Sequence, residues 1–239
     1  MSTDTVRNEK QAIRELVWGV LESEKAVSRS AAGRIPAFIG ADAAASRLAD
    51  HPSWKAARVV KAVPDKAQTP VRERALQEGK ALYMAAPKLA TEKPFYFLDP
   101  NALTIPPREA AERRTATRHA TPVDLTEMLP IDLIICGSVA VNHQGVRLGK
   151  GAGYADIEVA LLQEAGLMGP GTLIATTVHE LQVVDREIPE SAHDFRVDLI
   201  VTPDRIITCP PHERPQGVYW ESVSQEMIAE IPALKSRKP

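Results

Sequence analysis

The chain has 239 residues, of which 44% are hydrophobic and 25% are charged, and its formal net charge is −2. These values are typical of a globular protein with a sizeable core, and the near-neutral balance disfavours nucleic acid or a membrane as the main partner. Two cysteines, Cys136 and Cys209, cannot build a disulfide framework, so we expect a reducing, cytoplasmic location. We expect no signal peptide, because the N-terminus is polar and has no apolar core region, and no apolar run approaches the ~18 residues that cross a bilayer.

Helical periodicity dominates the N-terminal region, about residues 6–50. Apolar residues recur at three- and four-residue steps over about 6–28, and an alanine-rich second helix is predicted over about 37–48. Proline and glycine positions then indicate a strand, a helix and a second strand. These elements are predicted over residues 58–63, 70–79 and 81–85.

The middle of the chain has weaker periodicity. Residues 89–107 contain four prolines and are predicted to form an irregular lid or flap. Residues 108–118 are strongly charged and are predicted to form a short solvated helix. The basic residues Arg113, Arg114 and Arg118 lack interleaved aromatic residues, so we interpret them as a solvated helix face and expect no nucleic-acid partner.

The second half alternates strands with a helix. Residues 131–136 are an apolar run suited to a buried parallel strand, and a helix over 156–164 ends at Gly166. Further strands are predicted over residues 173–178, 197–202 and 206–207, and residues 139–141 connect the first strand to the glycine-rich segment. The alternation predicts one α/β domain spanning 1–239 with a largely parallel sheet, and a frayed tail after Lys235.

The candidate functional segment is residues 147–156, with the sequence RLGKGAGYAD. Gly149, Gly151 and Gly153 allow the backbone to approach a ligand, and successive N–H groups together with the following helix can bind an anion. Arg147 and Lys150 add cationic side chains suited to polyphosphate. We therefore expect a nucleotide triphosphate on this segment.

Two known phosphate-binding signatures do not match the segment, and one structural alternative applies to it. It lacks the GxxxxGK[ST] spacing of a Walker A loop, and its glycine spacing differs from the Rossmann fingerprint. A tight strand-to-helix turn with incidental basic residues is the structural alternative. The two cations within the loop favour phosphate binding over that alternative.

The segment also resembles a known family signature, approximately G-x-R-[LI]-G-x-G-x-G-[YF]-[YA]-D, of the 5-formyltetrahydrofolate cyclo-ligases. The resemblance extends to Lys10 and Arg14 in an N-terminal K-x-x-x-R, and to Gly79-Lys80 before the second strand. It continues through E-x-Q-x-x-D and H-D motifs at Glu180, Gln182, Asp185, His193 and Asp194. Together these motifs span most of the chain in the family's order.

The resemblance implies a three-layer α/β/α sandwich and an ATP- and Mg²⁺-dependent reaction. Family members convert 5-formyltetrahydrofolate to 5,10-methenyltetrahydrofolate: the formyl oxygen is phosphorylated, and N10 then displaces phosphate. It further implies a set of ATP-binding residues: Lys10, Arg14, Arg147, Lys150 and the loop from Gly149 through Gly151 to Gly153. It also implies that Tyr154 lies near the folate and that Asp156 lies near the metal. Arg147, Lys150 and Tyr154 are the catalytic candidates.

Several positions depart from the enzymes' pattern. A family glutamate that faces the pterin is replaced by Lys66, and an aspartate before the signature is replaced by Asn142. The aromatic residue usually found between the glycines is Lys150, and a second tyrosine is Ala155. These features resemble the divergent branch of methenyltetrahydrofolate synthetase domain-containing proteins.

The substrate is therefore open among three hypotheses. The first is a cyclo-ligase acting on a reduced folate or a related N-formyl heterocycle. The second is a paralogue that binds nucleotide without the cyclo-ligase reaction, and the third acts on another, thiamin-related cofactor intermediate. A homodimer is compatible with each hypothesis.

Two histidine-acid pairs could in principle bind a metal. His179-Glu180 and His193-Asp194 do not have a recognised zinc spacing, and we predict hydrogen bonding at strand ends for both.

Overall fold

The computed structural model describes residues 3–238. The helices are α1 (Thr3–Ser23), α2 (Ala41–Asp50), α3 (Pro52–Ala56), α4 (Thr69–Gln77), α5 (Pro107–Ala110), α6 (Arg113–His119), α7 (Tyr154–Glu164), α8 (Gln225–Glu230) and α9 (Pro232–Lys235). The strands are β1 (Val59–Ala62), β2 (Ala81–Ala85), β3 (Phe95–Leu98), β4 (Thr121–Val123), β5 (Ile131–Cys136), β6 (Ala140–Asn142), β7 (Arg147–Leu148), β8 (Met168–Thr177), β9 (Val183–Val184), β10 (Leu199–Val201) and β11 (Ile206–Thr208). Within residues 3–238, no helix is long and apolar enough to cross a membrane.

The central sheet has eight strands in the order β11-β10-β8-β5-β1-β2-β3-β4. The five inner strands, β10 to β2 in that order, run parallel to one another. The outer strands pair antiparallel at both edges. The predicted α/β/α class with a largely parallel sheet is confirmed.

Alternating side chains of the inner strands bury into two separate cores. Val60 and Ala62 of β1 face a core that also receives α1, α2 and α4. Val59 lies on the opposite face, in a core that also receives α7, α8 and α9. Because both faces of the parallel strands are covered, these strands are almost continuously apolar, as buried parallel strands usually are.

Several bounds in the parallel part of the fold agree with the sequence patterns, although β8 begins at Met168 and not at the predicted residue 173. Strands β2 and β5 have the predicted bounds, and α7 begins two residues before its prediction. Gly79 and Gly166 both have positive φ just after a helix, as helix-ending glycines do.

The prediction of an irregular excursion over residues 89–107 was wrong in part. This stretch contains β3, a strand that lies between β2 and β4 and pairs with β2 from Leu82–Leu98 to Ala85–Phe95. The prolines lie outside the strand, so they do not interrupt its hydrogen bonds. The second predicted helix begins later than expected, at Ala41, because Gly40 with a φ of 92° precedes it.

Chain direction changes at the centre of the sheet. From β1 the chain passes through α4 to β2, whereas from β5 it passes through α7 to β8 on the other side of the sheet. Since β1 and β5 are neighbours, a crevice opens at their carboxyl ends. Ligands of open α/β sheets bind at such a switch point.

A small second sheet carries the glycine-rich segment. Strands β7, β6 and β9 form it in that order, and β7 leads directly into the glycines. Strand β6, which the sequence pattern did not predict, lies outside the central sheet. Its position brings the loop before α7 to the carboxyl edge of β5.

Candidate nucleotide-binding site

Arg147 is the buried centre of the site. Its side chain on β7 is 3% exposed, and Nη2 donates to Asp156 Oδ1 at 2.9 Å. The guanidinium carbon lies 4.0 Å from the ring centroid of Phe195. Within residues 3–238, the buried Nε and Nη1 have no hydrogen-bond partner. Unpaired buried donors are rare because each forfeits its hydration, so these two atoms mark a place for an acceptor.

The glycine loop is fixed to α1. Arg14 Nε donates to the carbonyl oxygen of Gly149 at 2.7 Å. Gly151 has a φ of 96°, and a Cβ added there would lie 3.5 Å from Arg14 Cζ. The positive φ and the adjacent guanidinium explain why glycine occupies this position. Lys150 is exposed, with no hydrogen bond or ion pair to any residue that the structure describes.

A chain of alternating charges borders the loop. Lys10, one turn before Arg14, forms an ion pair with Asp194. Asp156 lies in the first turn of α7, where burial raises the pKa of its carboxyl and the charge of Arg147 opposes the rise. Desolvation also lowers the pKa of Arg14. The structure thus brings the predicted residues Lys10, Arg14, Arg147 and Asp156 together.

Tyr154 stands at the other end of the loop, as the first residue of α7. Gly153, with a φ of 73°, precedes it and turns the chain into the helix. The Tyr154 hydroxyl donates to Glu230 Oε2 at 3.0 Å. Burial, followed by this bond, raises the pKa of the Tyr154 hydroxyl. The tyrosine therefore faces α8 and not the arginine pair.

Two of the four divergent positions, Lys66 and Asn142, have clear structural roles. Lys66 is exposed and pairs with Glu112 on the surface, so its charge is directed out of the crevice. Asn142 is buried, and its Oδ1 accepts hydrogen bonds from Gln144 N at 3.0 Å and Val146 N at 3.1 Å. Asn142 thereby holds the β6–β7 turn that presents Arg147.

Asp65 is a crevice residue that the sequence analysis missed. It follows β1, and a Cβ added at Gly137, which follows β5, would lie 3.1 Å from Asp65 Oδ2. Burial raises the pKa of the Asp65 carboxyl, and the charges of Lys150 and Arg72 oppose the rise. Its place directly after a predicted parallel strand was the available signal, because such positions line the carboxyl edge of a sheet.

Other motif residues stabilise the scaffold. Gln182 is buried, and its Nε2 donates to Ser138 O at 2.8 Å. This hydrogen bond stabilises the connection between β5 and β6. His179 Nδ1 accepts from Leu181 N at 3.2 Å, so it caps a turn as predicted for a strand end. Lys80 donates to the carbonyl oxygens of Trp54 and Ala57 at the amino end of β2, far from the crevice.

Known proteins share the part of the chain that contains this site. A model of the 5-formyltetrahydrofolate cyclo-ligase family matches residues 6–203, which include every site residue described so far except Glu230. The chain belongs to the 5-formyltetrahydrofolate cyclo-ligase family. This membership agrees with the resemblance of the glycine segment and its neighbouring motifs.

Curated relatives include methenyltetrahydrofolate synthase domain-containing proteins and a cyclo-ligase. It is 38% identical over 240 residues to a methenyltetrahydrofolate synthase domain-containing protein of Bos taurus, and covers 61% of that protein's length. It is 33% identical over 86 residues to the mitochondrial 5-formyltetrahydrofolate cyclo-ligase of Arabidopsis thaliana, a match to 34% of this chain. The chain thus spans about three fifths of the length of the domain-containing relatives that it matches.

A solved structure has the same fold. The 5,10-methenyltetrahydrofolate synthetase of Aquifex aeolicus superposes with a TM-score of 0.54 at 22% identity, covering 88% of this chain and 97% of that one.

Proposed function

We propose that this chain is an ATP- and Mg²⁺-dependent cyclo-ligase-like enzyme that acts on 5-formyltetrahydrofolate. The observation that carries the proposal is the buried Arg147 guanidinium, whose Nε and Nη1 lack partners in the described chain beside a glycine loop. An anion bound at these donors would recover the hydrogen bonds that burial removes. Family membership makes the triphosphate of ATP the appropriate anion.

The surrounding cations support phosphoryl transfer. Arg147 would hold phosphate oxygens from within the protein, and the exposed Lys150 would approach them from the solvent side. Backbone N–H groups of the loop and the N-terminal end of α7 add further positive potential. Phosphoryl transfer requires mainly positioning and charge neutralisation, which these groups can supply.

The residues present fit a magnesium ion that is bound with the nucleotide. Mg²⁺ typically takes one or two carboxylates and completes its coordination with phosphate oxygens and water. Asp156 uses Oδ1 to bind Arg147, and Oδ2 has no hydrogen bond within residues 3–238. The same part of the chain has no group of three or more His, Cys, Asp and Glu residues that could hold a metal without the nucleotide. The ion would neutralise charge on the phosphates.

Under this proposal the reaction has two steps. The formyl oxygen attacks the γ-phosphorus of ATP and ADP leaves. N10 then attacks the formyl carbon and loses its proton, and phosphate departs with the former formyl oxygen. The products are 5,10-methenyltetrahydrofolate, ADP and phosphate. Arg147 and Lys150 act on the phosphoryl group, and Tyr154 lies on the acceptor side.

The direct test incubates the protein with ATP, Mg²⁺ and 5-formyltetrahydrofolate and measures the absorbance of the methenyl product and phosphate release. We expect both signals in equal amounts and their loss when EDTA removes Mg²⁺. ATP binding without either signal would reject the folate reaction.

A second candidate is a paralogue that binds nucleotide and acts on another cofactor intermediate, or that performs no cyclo-ligase reaction. The outward orientation of Lys66 favours it, because the family's acid at this position is absent from the crevice. Phosphate release from ATP with a thiamin precursor, and none with the folate, would support this candidate.

We further propose a small-molecule partner in the cytoplasm, without nucleic acid or membrane. The exposed Arg113, Arg114 and Arg118 lie on the short helix α6, and both cysteines are buried free thiols, as expected in a reducing compartment.

A further inference from the structure

Helix α8 lies beyond the family-matched residues 6–203, yet it packs beside the glycine loop. Ile228, Ile231 and Leu234 are buried, and the last two belong to the core that contains α7. The position of α8 is therefore fixed by apolar packing. This segment is an integral wall of the site.

Two side chains of α8 reach the start of α7. The Met227 methyl group would lie 3.6 Å from a Cβ added at Gly153. Glu230 Oε2 accepts the Tyr154 hydroxyl and lies 3.5 Å from Lys88 Nζ. Glu230 Oε1 has no hydrogen bond within the described chain, and the side chain is 49% exposed. Glu230 Oε2 thus binds the Tyr154 hydroxyl, and Oε1 has no partner in the described chain.

Lys88 is held at the same edge by unusual backbone geometry. It follows β2, and both Lys88 and Leu89 have positive φ, at 58° and 53°. Non-glycine residues rarely adopt this conformation, and two in succession persist only when packing requires it. Leu89 supplies that packing because it is fully buried. The turn places a cation beside Glu230 at the carboxyl end of a central strand.

The arrangement can recognise a flat heterocycle. The bond to Glu230 fixes the Tyr154 ring, which can stack on an aromatic ligand. A free carboxylate oxygen accepts hydrogen bonds from ring N–H and amino groups. Lys66 stands where the resemblance implies a pterin-facing acid and is directed outward. Glu230 provides a carboxylate beside Tyr154 from a different element.

We propose that Glu230 is a specificity-determining residue on the acceptor side, and that it reads the N–H edge of an amino-substituted heterocycle beside Tyr154. The proposal rests on the proposed function for the location of the acceptor. It goes beyond that function by assigning recognition to a helix outside the matched family span.

The test compares Glu230→Gln with the wild type and with Glu226→Gln. The glutamine keeps an oxygen for the Tyr154 hydroxyl and removes the charge. Glu226 is an exposed residue one turn earlier on α8, and it is the matched control. Calorimetry measures binding of four probes: 5-formyltetrahydrofolate, pterin, p-aminobenzoylglutamate and ATP. The third probe lacks the amino-heterocycle edge.

We expect Glu230→Gln to weaken binding of 5-formyltetrahydrofolate and pterin by about 10- to 100-fold, the range for a lost charged hydrogen bond. Binding of ATP and p-aminobenzoylglutamate should be unchanged, and Glu226→Gln should match the wild type with all four probes. Tyr154→Phe keeps the charge and loses the bond, so it should weaken pterin binding less than Glu230→Gln does.

Equal pterin binding by Glu230→Gln and the wild type would overturn the proposal, as would a wild type that binds neither heterocycle. A uniform loss of all ligands in Glu230→Gln would also overturn it, because that pattern indicates a structural role. Pterin binding that depends on Glu230, without formation of the methenyl product, would reject the proposed reaction and support the recognition role.

Discussion

Arg147 lies over the ring of Phe195, with its guanidinium carbon 4.0 Å from the ring centroid, while Nη2 is bonded to Asp156. The aromatic face stabilises the cation by its quadrupole, and the carboxylate fixes one end of the guanidinium fork. Nε and Nη1 are buried without partners among residues 3–238. The protein therefore holds a fixed cation with two buried donors that no described residue satisfies.

Arg147→Met should destabilise the protein by about 3 kcal/mol, because it leaves the Asp156 carboxylate buried without its cation. Adding Asp156→Asn should recover most of that loss, since the uncompensated charge is then gone. Urea denaturation measures both changes. Neither variant should bind ATP in calorimetry, and ATP affinity retained in the double variant would contradict the role of Arg147 in phosphate binding.

Lys150→Ala should weaken ATP binding by about 10-fold or more, since a charged hydrogen bond is worth ~1.5–3 kcal/mol. Stability should be unchanged because Lys150 is exposed and unpaired in the described chain. Lys55→Ala is the control: Lys55 is also exposed, but on α3 before the amino end of β1. Calorimetry at fixed salt compares the two, and equal ATP affinities would argue against a phosphate contact by Lys150.

Gly151→Ala should strain the loop, because alanine adopts a φ of 96° at a cost of about 1–3 kcal/mol. We expect a lower free energy of unfolding and weaker ATP binding. Gly169→Ala introduces the same methyl group into β8, where no atom lies within 4 Å and φ is not positive. Chemical denaturation with and without ATP tests the pair, and a Gly151 variant as stable as the Gly169 variant would count against loop strain.

Lys61 of β1 and Glu158 of α7 form a buried ion pair, with side chains 1% and 8% exposed. Lys61→Met alone should cost about 3–5 kcal/mol, because it leaves a carboxylate buried without a cation. Lys61→Met with Glu158→Leu should be close to the wild type or more stable. A double-mutant cycle by urea denaturation measures the coupling. A double variant as unstable as the single one would indicate that packing, and not charge, dominates.

Asp65→Asn should stabilise the protein at neutral pH. Burial raises the pKa of the folded Asp65 carboxyl above its ordinary value of 3.8, so the native state binds its proton more tightly than the unfolded chain does. Stability of the wild type therefore falls as pH rises from 3.8 through the raised pKa, and the loss is complete above it. The Tm difference between variant and wild type should be positive at pH 7 and vanish near pH 3. A constant difference across this range would contradict the assignment.

Local sequence determined much of the parallel part of the fold. The apolar runs of β2 and β5 have few polar residues to end them early, so their bounds follow from composition. The glycines of the 147–156 segment also predicted a loop before a helix, because glycine allows the positive φ that Gly151 and Gly153 adopt. Family membership was visible for the same reason: its motifs are short and local.

Other features depended on distant partners. Strand β3 lies in a proline-rich stretch with weak periodicity, and it exists because β2 and β4 supply hydrogen bonds on both sides. The sequence pattern aligned Lys66 with a pterin-facing acid of the family. In the structure the Lys66 side chain instead pairs with Glu112 at the surface. In both cases the deciding interaction joins residues that are far apart in the sequence, so no short segment of the chain contains it.

The candidate site also has features that depend on local sequence and features that depend on distant partners. The sequence by itself determined the glycine loop and the two cations within it, since backbone freedom and charge are properties of the residues themselves. The tertiary structure alone decided that Phe195 lies beneath Arg147, that Asp65 borders the crevice, and that Glu230 meets Tyr154. These partners are separated along the chain by whole helices and strands, and they meet because apolar burial on both faces of the sheet fixes where those elements pack.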